Sequence, residues 1–110
     1  MEQRSVVLAR FPFSNQIDYK IRPAIIVSNN HYNKLHSDFW IVPITTKHTM
    51  NEFEIEILPR DFIAGNINER IFVRVDVIAT VDVDLILKEI GKVSDKLFGR
   101  IISGIELNLK

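Results

Sequence analysis

Apolar runs of strand length, parted by polar segments too short to hold a full helix, fill this chain until about residue 81. Only the closing segment carries apolar residues at helical spacing. The first run, Val6-Val7-Leu8-Ala9-Arg10-Phe11-Pro12-Phe13-Ser14, and the second, Arg22-Pro23-Ala24-Ile25-Ile26-Val27-Ser28-Asn29, frame a polar loop. Phe39-Trp40-Ile41-Val42-Pro43-Ile44-Thr45-Thr46 reads as a third strand, and its proline predicts an edge position or a bulge. Residues 47–51 are a polar connection. In Phe53-Glu54-Ile55-Glu56-Ile57 the alternation is strict, so Phe53, Ile55 and Ile57 share one buried face while Glu54 and Glu56 face solvent. Residues 59–62 read as a single helical turn and Gly65-Asn66 as a loop.

Residues 70–81 form the next strand region, which can bend into two, and Asp82 is suited to cap a short helix through Lys88 to Glu89 that stops near Gly91. The last element is a helix with Ser94 as N-cap and Asp95 favouring the dipole of the first turn. Leu97, Phe98, Ile101, Ile102 and Ile105 form its apolar face. Gly99 and Gly104 each weaken that helix by about 1 kcal/mol relative to alanine, so packing must hold it in place. Strands that are not separated by full-length helices disfavour an open βαβ arrangement. The pattern predicts one mainly β (α+β) domain over residues 1–110: a small, strongly curved antiparallel barrel with short inserted helices and a C-terminal amphipathic helix.

At 110 residues the chain can bury a real but modest core, and 46% hydrophobic with 25% charged residues excludes disordered and fibrous classes. Glu2 and Arg4 precede a run too short to cross a bilayer, so no signal peptide or membrane anchor is expected and the location is expected to be cytoplasmic. The absence of cysteine removes disulfides, thiolate metal sites and cysteine nucleophiles. His31, His36 and His48 lack zinc-type spacing, the glycines form no phosphate loop, and no serine sits in a nucleophile elbow. No metal or cofactor is expected. Formal charge is zero, but residues 1–50 carry six basic against three acidic residues, 6 − 3 = +3, and the remainder 8 − 11 = −3. A local cationic patch for a polyanion and a merely solvated surface both fit that imbalance.

Polar groups that interrupt apolar strands mark where chemistry can sit. Arg74 and Asp76, two residues apart on a strand, project from one face with Phe72 and Ile78 beside them. They form either an ion pair that fixes the strand or a reactive cation and anion, and burial and the arginine pull the aspartate's pKa in opposite directions. Arg22, held extended by Pro23, can hydrogen-bond the loop before it or clamp a phosphate through two bonds. Thr45 and Thr46 end a strand, as turn formers or as hydroxyl donors. Lys20, Lys47 and His48 lie in adjoining loops, where they can hold a nucleic-acid backbone, choose bases, or simply be solvated.

In this order the two framing runs with Arg22-Pro23, then Val42-Pro43-Ile44-Thr45-Thr46, then Val73-Arg74-Val75-Asp76-Val77-Ile78-Ala79-Thr80-Val81-Asp82, then Ile90-Gly91-Lys92-Val93-Ser94 resemble the MazF/PemK family of toxin endoribonucleases of type II toxin–antitoxin systems. The resemblance covers the chain from about residue 6 to about residue 107 and implies an SH3-like barrel. It implies metal-independent cleavage of single-stranded RNA through its 2′-hydroxyl, leaving a 2′,3′-cyclic phosphate. Arg74 and Asp76 fall on the family's acid and base positions, Arg22 on the arginine that engages the scissile phosphate, and the Thr45/Thr46 pair, Thr45 preferred, on a hydroxyl that contacts RNA. Partners implied are single-stranded RNA in a groove between two subunits of a homodimer, and a cognate antitoxin whose flexible acidic segment fills that groove. Two departures bear on RNA preference: the loop Asn15-Gln16-Ile17-Asp18-Tyr19-Lys20-Ile21 lacks glycine, and Val77 stands where glutamine is common. A related barrel, the CcdB-type gyrase poison, is the rival from another class. It uses a C-terminal Trp-Gly-Ile tail, whereas this chain ends Glu106-Leu107-Asn108-Leu109-Lys110 and has its only tryptophan at Trp40. A catalytically silent binding module of the same barrel is the third reading.

Overall fold

In the computed structural model, which describes residues 1–12 and 19–110, the apolar runs form strands β1 (Ser5–Pro12), β2 (Tyr19–Ile26), β3 (Asp38–Thr45), β4 (Glu54–Ile57), β5 (Phe62–Gly65), β6 (Ile71–Arg74), β7 (Ala79–Asp82) and β8 (Ile86–Val93). They make one antiparallel sheet in the order β4-β6-β3-β2-β1-β8-β5, with β7 also paired to β3. Helix α1 (Asn30–Leu35) follows β2, and α2 (Asp95–Asn108) closes the chain. The 3-10 turn Pro59–Asp61 carries the backbone from one end of this strand order, β4, to the other, β5. The sheet therefore curls into a half-barrel. Of the glycine-free loop expected at residues 15–21, residues 15–18 lie outside the described residues, and Tyr19, Lys20 and Ile21 belong to β2 rather than to a loop, paired there with β1.

Because strand side chains alternate in direction, the two faces of the curled sheet bury different cores. Val6, Ile25, Val42, Ile44, Ile71, Val73 and Val93 point to one face, where Leu97 and Ile101 of α2 seal them. Val7, Ala24, Ile26, Phe39, Ile41 and Val81 point to the other. Ser94 caps α2 as expected, accepting from Leu97 N at 3.2 Å. Phe98 and Ile105 pack against the first core beside Leu97 and Ile101, while Ile102 is half-buried outside it.

Three expectations from sequence need correction here, and one helix was not expected. Pro43 is not on an edge: β3 pairs with β2 on one side and with β7 and β6 on the other. Pro43 falls in the gap where β3 leaves β7 after Ile41 and takes up β6 at Ile44, so its missing N–H meets no ladder there. Asp82 does cap, accepting from Asp84 N at 2.9 Å, but the helix stops after Val83–Leu85. Residues 86–93 instead become β8, because the backbone groups of β1 and β5 need a partner strand and local helix propensity yields to that pairing. Gly65 ends β5 rather than forming a loop. Helix α1 has no buried residue, so it left no apolar periodicity to read. Its start is fixed by Asn29, whose side chain accepts from Tyr32 N at 2.8 Å.

The two glycines of α2 differ in kind. A Cβ on Gly104 would sit 3.0 Å from Val75 Cγ2, whereas one on Gly99 would meet nothing within 4 Å. Gly104 is a point of close helix–sheet approach, and Gly99 is only a propensity cost. Gly99→Ala should therefore raise stability by about 0.5–1 kcal/mol, and Gly104→Ala should fail to give that gain. Urea denaturation of the two variants checks both.

Candidate active site

The site begins with a proline. Val27 N donates to Trp40 O at 2.8 Å, so Val27 and every second residue before it turn their backbone groups toward β3. The ladder continues through Ile25↔Val42 and ends at Ala24↔Pro43. The next residue to donate would be Pro23, opposite Ile44, and Pro23 has no N–H. There β2 and β3 part around a cleft of about 250 Å³ lined by Lys20, Arg22, Thr45, Thr46, Lys47 and Glu69 over a floor that includes Ile44 and Ile71.

The registers place the remaining polar groups. Thr45 lies opposite Phe72, and Phe72 opposite Glu56; one row away, Arg74 lies opposite Glu54. Continued two pairs beyond its last bridge, the β2–β3 register sets Arg22 against Thr45. Arg22, Thr45, Phe72 and Arg74 therefore project from one face of the sheet, the face of the second core, just where its apolar residues give out. Strand spacing and rise put Arg22 and Arg74 about 10 Å apart across the sheet and about 7 Å along it. Two long side chains can bridge that to a single phosphate.

The two arginines differ in how they are satisfied. Arg22 is partly buried, and its Nε is fully buried with no hydrogen-bond partner among the described residues. Arg74 donates twice to one carboxylate, Nε to Asp76 Oδ1 at 2.8 Å and Nη2 to Asp76 Oδ2 at 2.6 Å. Asp76 is not on a strand, since β6 ends at Arg74 and a turn follows. The turn, rather than the pleat, brings the two side chains together. The hydrogen bonds from Arg74 hold the Asp76 carboxyl below its usual range against the upward push of burial, and the same pair raises Arg74, helped by Glu54 opposite. Asp76 opens with Phe53, Val75 and Ile105 onto a second hollow, separate from the Arg22 cleft. The structure thus gathers Lys20, Arg22, Thr45, Thr46 and Lys47 around one cleft and sets Arg74 on the same face beyond Phe72, with its partner Asp76 in the turn that opens onto the separate hollow beside α2.

Thr45 Oγ1 accepts from Lys47 N at 3.1 Å, which forms the turn out of β3 and leaves the hydroxyl proton free to donate elsewhere. His48 stacks on Phe72 with ring centroids 4.5 Å apart, and its Nδ1 lies 3.1 Å from Glu54 Oε1. Glu54 corrects the expectation that both β4 glutamates face solvent: its side chain is only 2% exposed. Thr49 covers it, donating from N at 3.2 Å and from Oγ1 at 2.8 Å. Burial pushes the Glu54 carboxyl up, but the bonds from Thr49 and His48 outweigh it and leave it lowered. Glu56 pairs with Arg70, whose guanidinium lies 5.2 Å from the Phe72 ring centre. The sequence reading missed Glu54 and Phe72. Their signal was the interruption of two neighbouring strands by a carboxylate and an aromatic on the face away from the first core.

Among the described residues no three acidic or histidine side chains gather to hold a metal ion, and no helix is long and apolar enough to cross a membrane. The architecture is that of a small barrel protein, a curled antiparallel half-barrel with an arginine-bearing cleft on one face and a C-terminal helix on the other. The family model of the PemK-like, MazF-like toxin of type II toxin–antitoxin systems matches residues 2–109. The chain belongs to that family. No curated protein matches it by sequence. Among solved structures it is similar to the Mycobacterium tuberculosis toxin MazF-mt6, with TM-score 0.77, 19% identity and 96% of each chain covered. It is also similar to MazF from Deinococcus radiodurans, with TM-score 0.81, 15% identity and 99% and 96% covered. A mycobacterial endoribonuclease in complex with its cognate antitoxin gives TM-score 0.70 and 22% identity, with 99% and 94% covered.

The lowered Asp76 carboxyl sets a pH dependence. A depressed folded pKa adds stability that is fully present above the unfolded aspartate value of about 3.9 and is lost as pH falls through the folded value. The stability difference between wild type and Asp76→Asn should therefore be constant from neutral pH down to about pH 4 and shrink below it, as read by thermal unfolding across an acid series.

Proposed function

We propose that this protein is an endoribonuclease that cuts single-stranded RNA, with no metal, by attack of a 2′-hydroxyl on its own 3′-phosphate. The observation that carries the reading is the buried Nε of Arg22, without a partner among the described residues, in a cleft shared with Lys20, Lys47 and Thr45. A buried donor without an acceptor is costly, and a phosphate oxygen is the acceptor that a planar guanidinium best fits. Since RNA carries its nucleophile beside the phosphate, cleavage needs only proton removal, charge neutralisation on phosphorus and protonation of the leaving 5′-oxygen.

Arg22 neutralises the pentacoordinate phosphorane, Thr45 donates a hydrogen bond from its hydroxyl to a phosphate oxygen, and Lys20, Thr46 and Lys47 hold the flanking backbone and bases. Asp76 takes the 2′-proton. In the free protein both its oxygens are engaged by Arg74, so it becomes an effective base as the phosphate draws the Arg74 guanidinium toward itself. Arg74, with its proton held more firmly than usual, acts through charge rather than as an acid. The product is a 2′,3′-cyclic phosphate. The RNA runs in a groove shared by two copies of the chain, and a cognate antitoxin blocks it with a flexible acidic segment. Antitoxin-bound forms among the solved relatives, one mycobacterial and one from Deinococcus radiodurans, support that partner.

Purified protein incubated with mixed-sequence RNA in chelator should yield fragments ending in 2′,3′-cyclic phosphate. Arg22→Ala should lower the rate by about 10²–10³-fold, and Arg22→Lys should not restore it, because an ammonium cannot make the paired bonds. Intact RNA in the wild-type reaction would overturn the reading. Asp76→Ala should also abolish cutting, and undiminished cleavage by it would remove Asp76 as the base.

A further inference from the structure

The reaction above lacks a proton donor for the leaving 5′-oxygen. Arg22 and Arg74 are guanidinium groups that do not give up a proton near neutral pH, and Asp76 is occupied as the base. Among the described residues, His48 is an imidazole on this face that is already built into a carboxylate pair. Resting on the ribonuclease reading, we propose that His48 is the general acid that protonates the leaving 5′-oxygen, and that Glu54 is its positioning residue.

Geometry carries the assignment. The imidazole lies flat on Phe72, with ring centroids 4.5 Å apart and planes 8° from parallel. Phe72 is the residue directly opposite Thr45 on the cleft wall. Glu54, which holds His48 Nδ1 at 3.1 Å, is directly opposite Arg74. The ring therefore sits between the phosphate-binding cleft and Arg74, on the face both share. A carboxylate only accepts, so Nδ1 carries a proton and Nε2 is left to exchange one with the substrate. Glu54 is itself fixed by Thr49 N and Oγ1, and Met50 at the loop apex is in the left-handed region at φ 55°. The two hydrogen bonds tie the histidine's loop to β4. A solvated loop histidine has no use for a carboxylate that is 2% exposed.

The step balances. The 2′-oxygen forms a bond to phosphorus as its proton passes to Asp76, the bond from phosphorus to the 5′-oxygen breaks, and the proton on His48 Nε2 passes to that oxygen. Products are a 2′,3′-cyclic phosphate and a 5′-hydroxyl, and solvent returns the proton from Asp76 to His48. Charged groups around the ring are Glu54 and Glu56 on β4, Arg70 just before β6, Arg74 on β6, and Lys47 beside it in the loop.

The test compares ordinary RNA with the same RNA carrying sulfur in place of the bridging 5′-oxygen at the cut, a leaving group that departs without protonation. His48→Gln should slow cleavage of ordinary RNA by about 10²–10⁴-fold and cut the sulfur-bridged RNA near the wild-type rate. Glu54→Gln should slow cleavage of ordinary RNA by about 10-fold or more while cutting the sulfur-bridged RNA near the wild-type rate, since the ring loses the partner that orients its Nε2. Equal loss on both substrates in either variant would overturn the assignment of His48 while leaving the nuclease reading intact. Wild-type protein that cuts neither substrate would remove the nuclease reading and this assignment with it.

Discussion

Two missing backbone N–H groups shape this molecule. A curled antiparallel sheet would, if every strand kept its partners, present an unbroken hydrogen-bonded wall with no room for a ligand. Pro23 ends the β2–β3 ladder by failing to donate where Ile44 would accept, and Pro43 sits one strand away, where β3 exchanges β7 for β6. Both defects fall at the same level of the sheet, since Pro43 is the partner of Ala24. The wall parts there, and the cleft lined by Arg22 and Thr45 is the consequence. A proline in a strand is normally confined to positions where its lost bond costs nothing; here the lost bond makes the opening.

The charges around that opening follow a division of labour. Arg74 has its electrostatic needs met within the chain by two hydrogen bonds to Asp76, which stabilises the resting protein and silences the carboxylate. Arg22 is left with a buried donor unsatisfied among the described residues, which costs the resting protein and favours the bound one. An anion entering the cleft relieves the second arginine directly and competes with Asp76 for the first. On the proposed reading, binding energy at Arg22 is thereby linked to the basicity of Asp76, and the base strengthens when substrate is present.

Much of the architecture was legible because it rests on local pattern. The alternation in residues 53–57 and the three- and four-residue spacing from Leu97 to Ile105 name their elements without help from the rest of the chain. Residues 86–93 were not legible, since Ile86, Leu87, Lys88 and Glu89 suit a helix and only the open edges of β1 and β5 make them a strand. In the site, Arg22, Thr45, Arg74 and Asp76 stood out as polar breaks in apolar runs. Glu54 did not, because its burial is made by Thr49 and His48 folding back from a loop, a contact across five and six residues that no periodicity encodes. The Arg74–Asp76 pair was anticipated from strand alternation and is in fact made by a turn. The spacing was informative for a reason other than the one that suggested it.

The two faces of the sheet separate what keeps the fold from what does the chemistry. Helix α2 seals one face with Leu97 and Ile101, while the arginine, threonine and histidine side chains stand on the other. Substitutions that preserve apolar volume on the sealed face leave the barrel intact, which is how a TM-score of 0.81 coexists with 15% identity. The same separation means that likeness of fold carries no information about the polar face. What this chain does is decided by a handful of side chains in two adjacent rows of the sheet, and the stacking of His48 on Phe72 beside a buried carboxylate belongs to this chain's own residues rather than to the barrel that displays them.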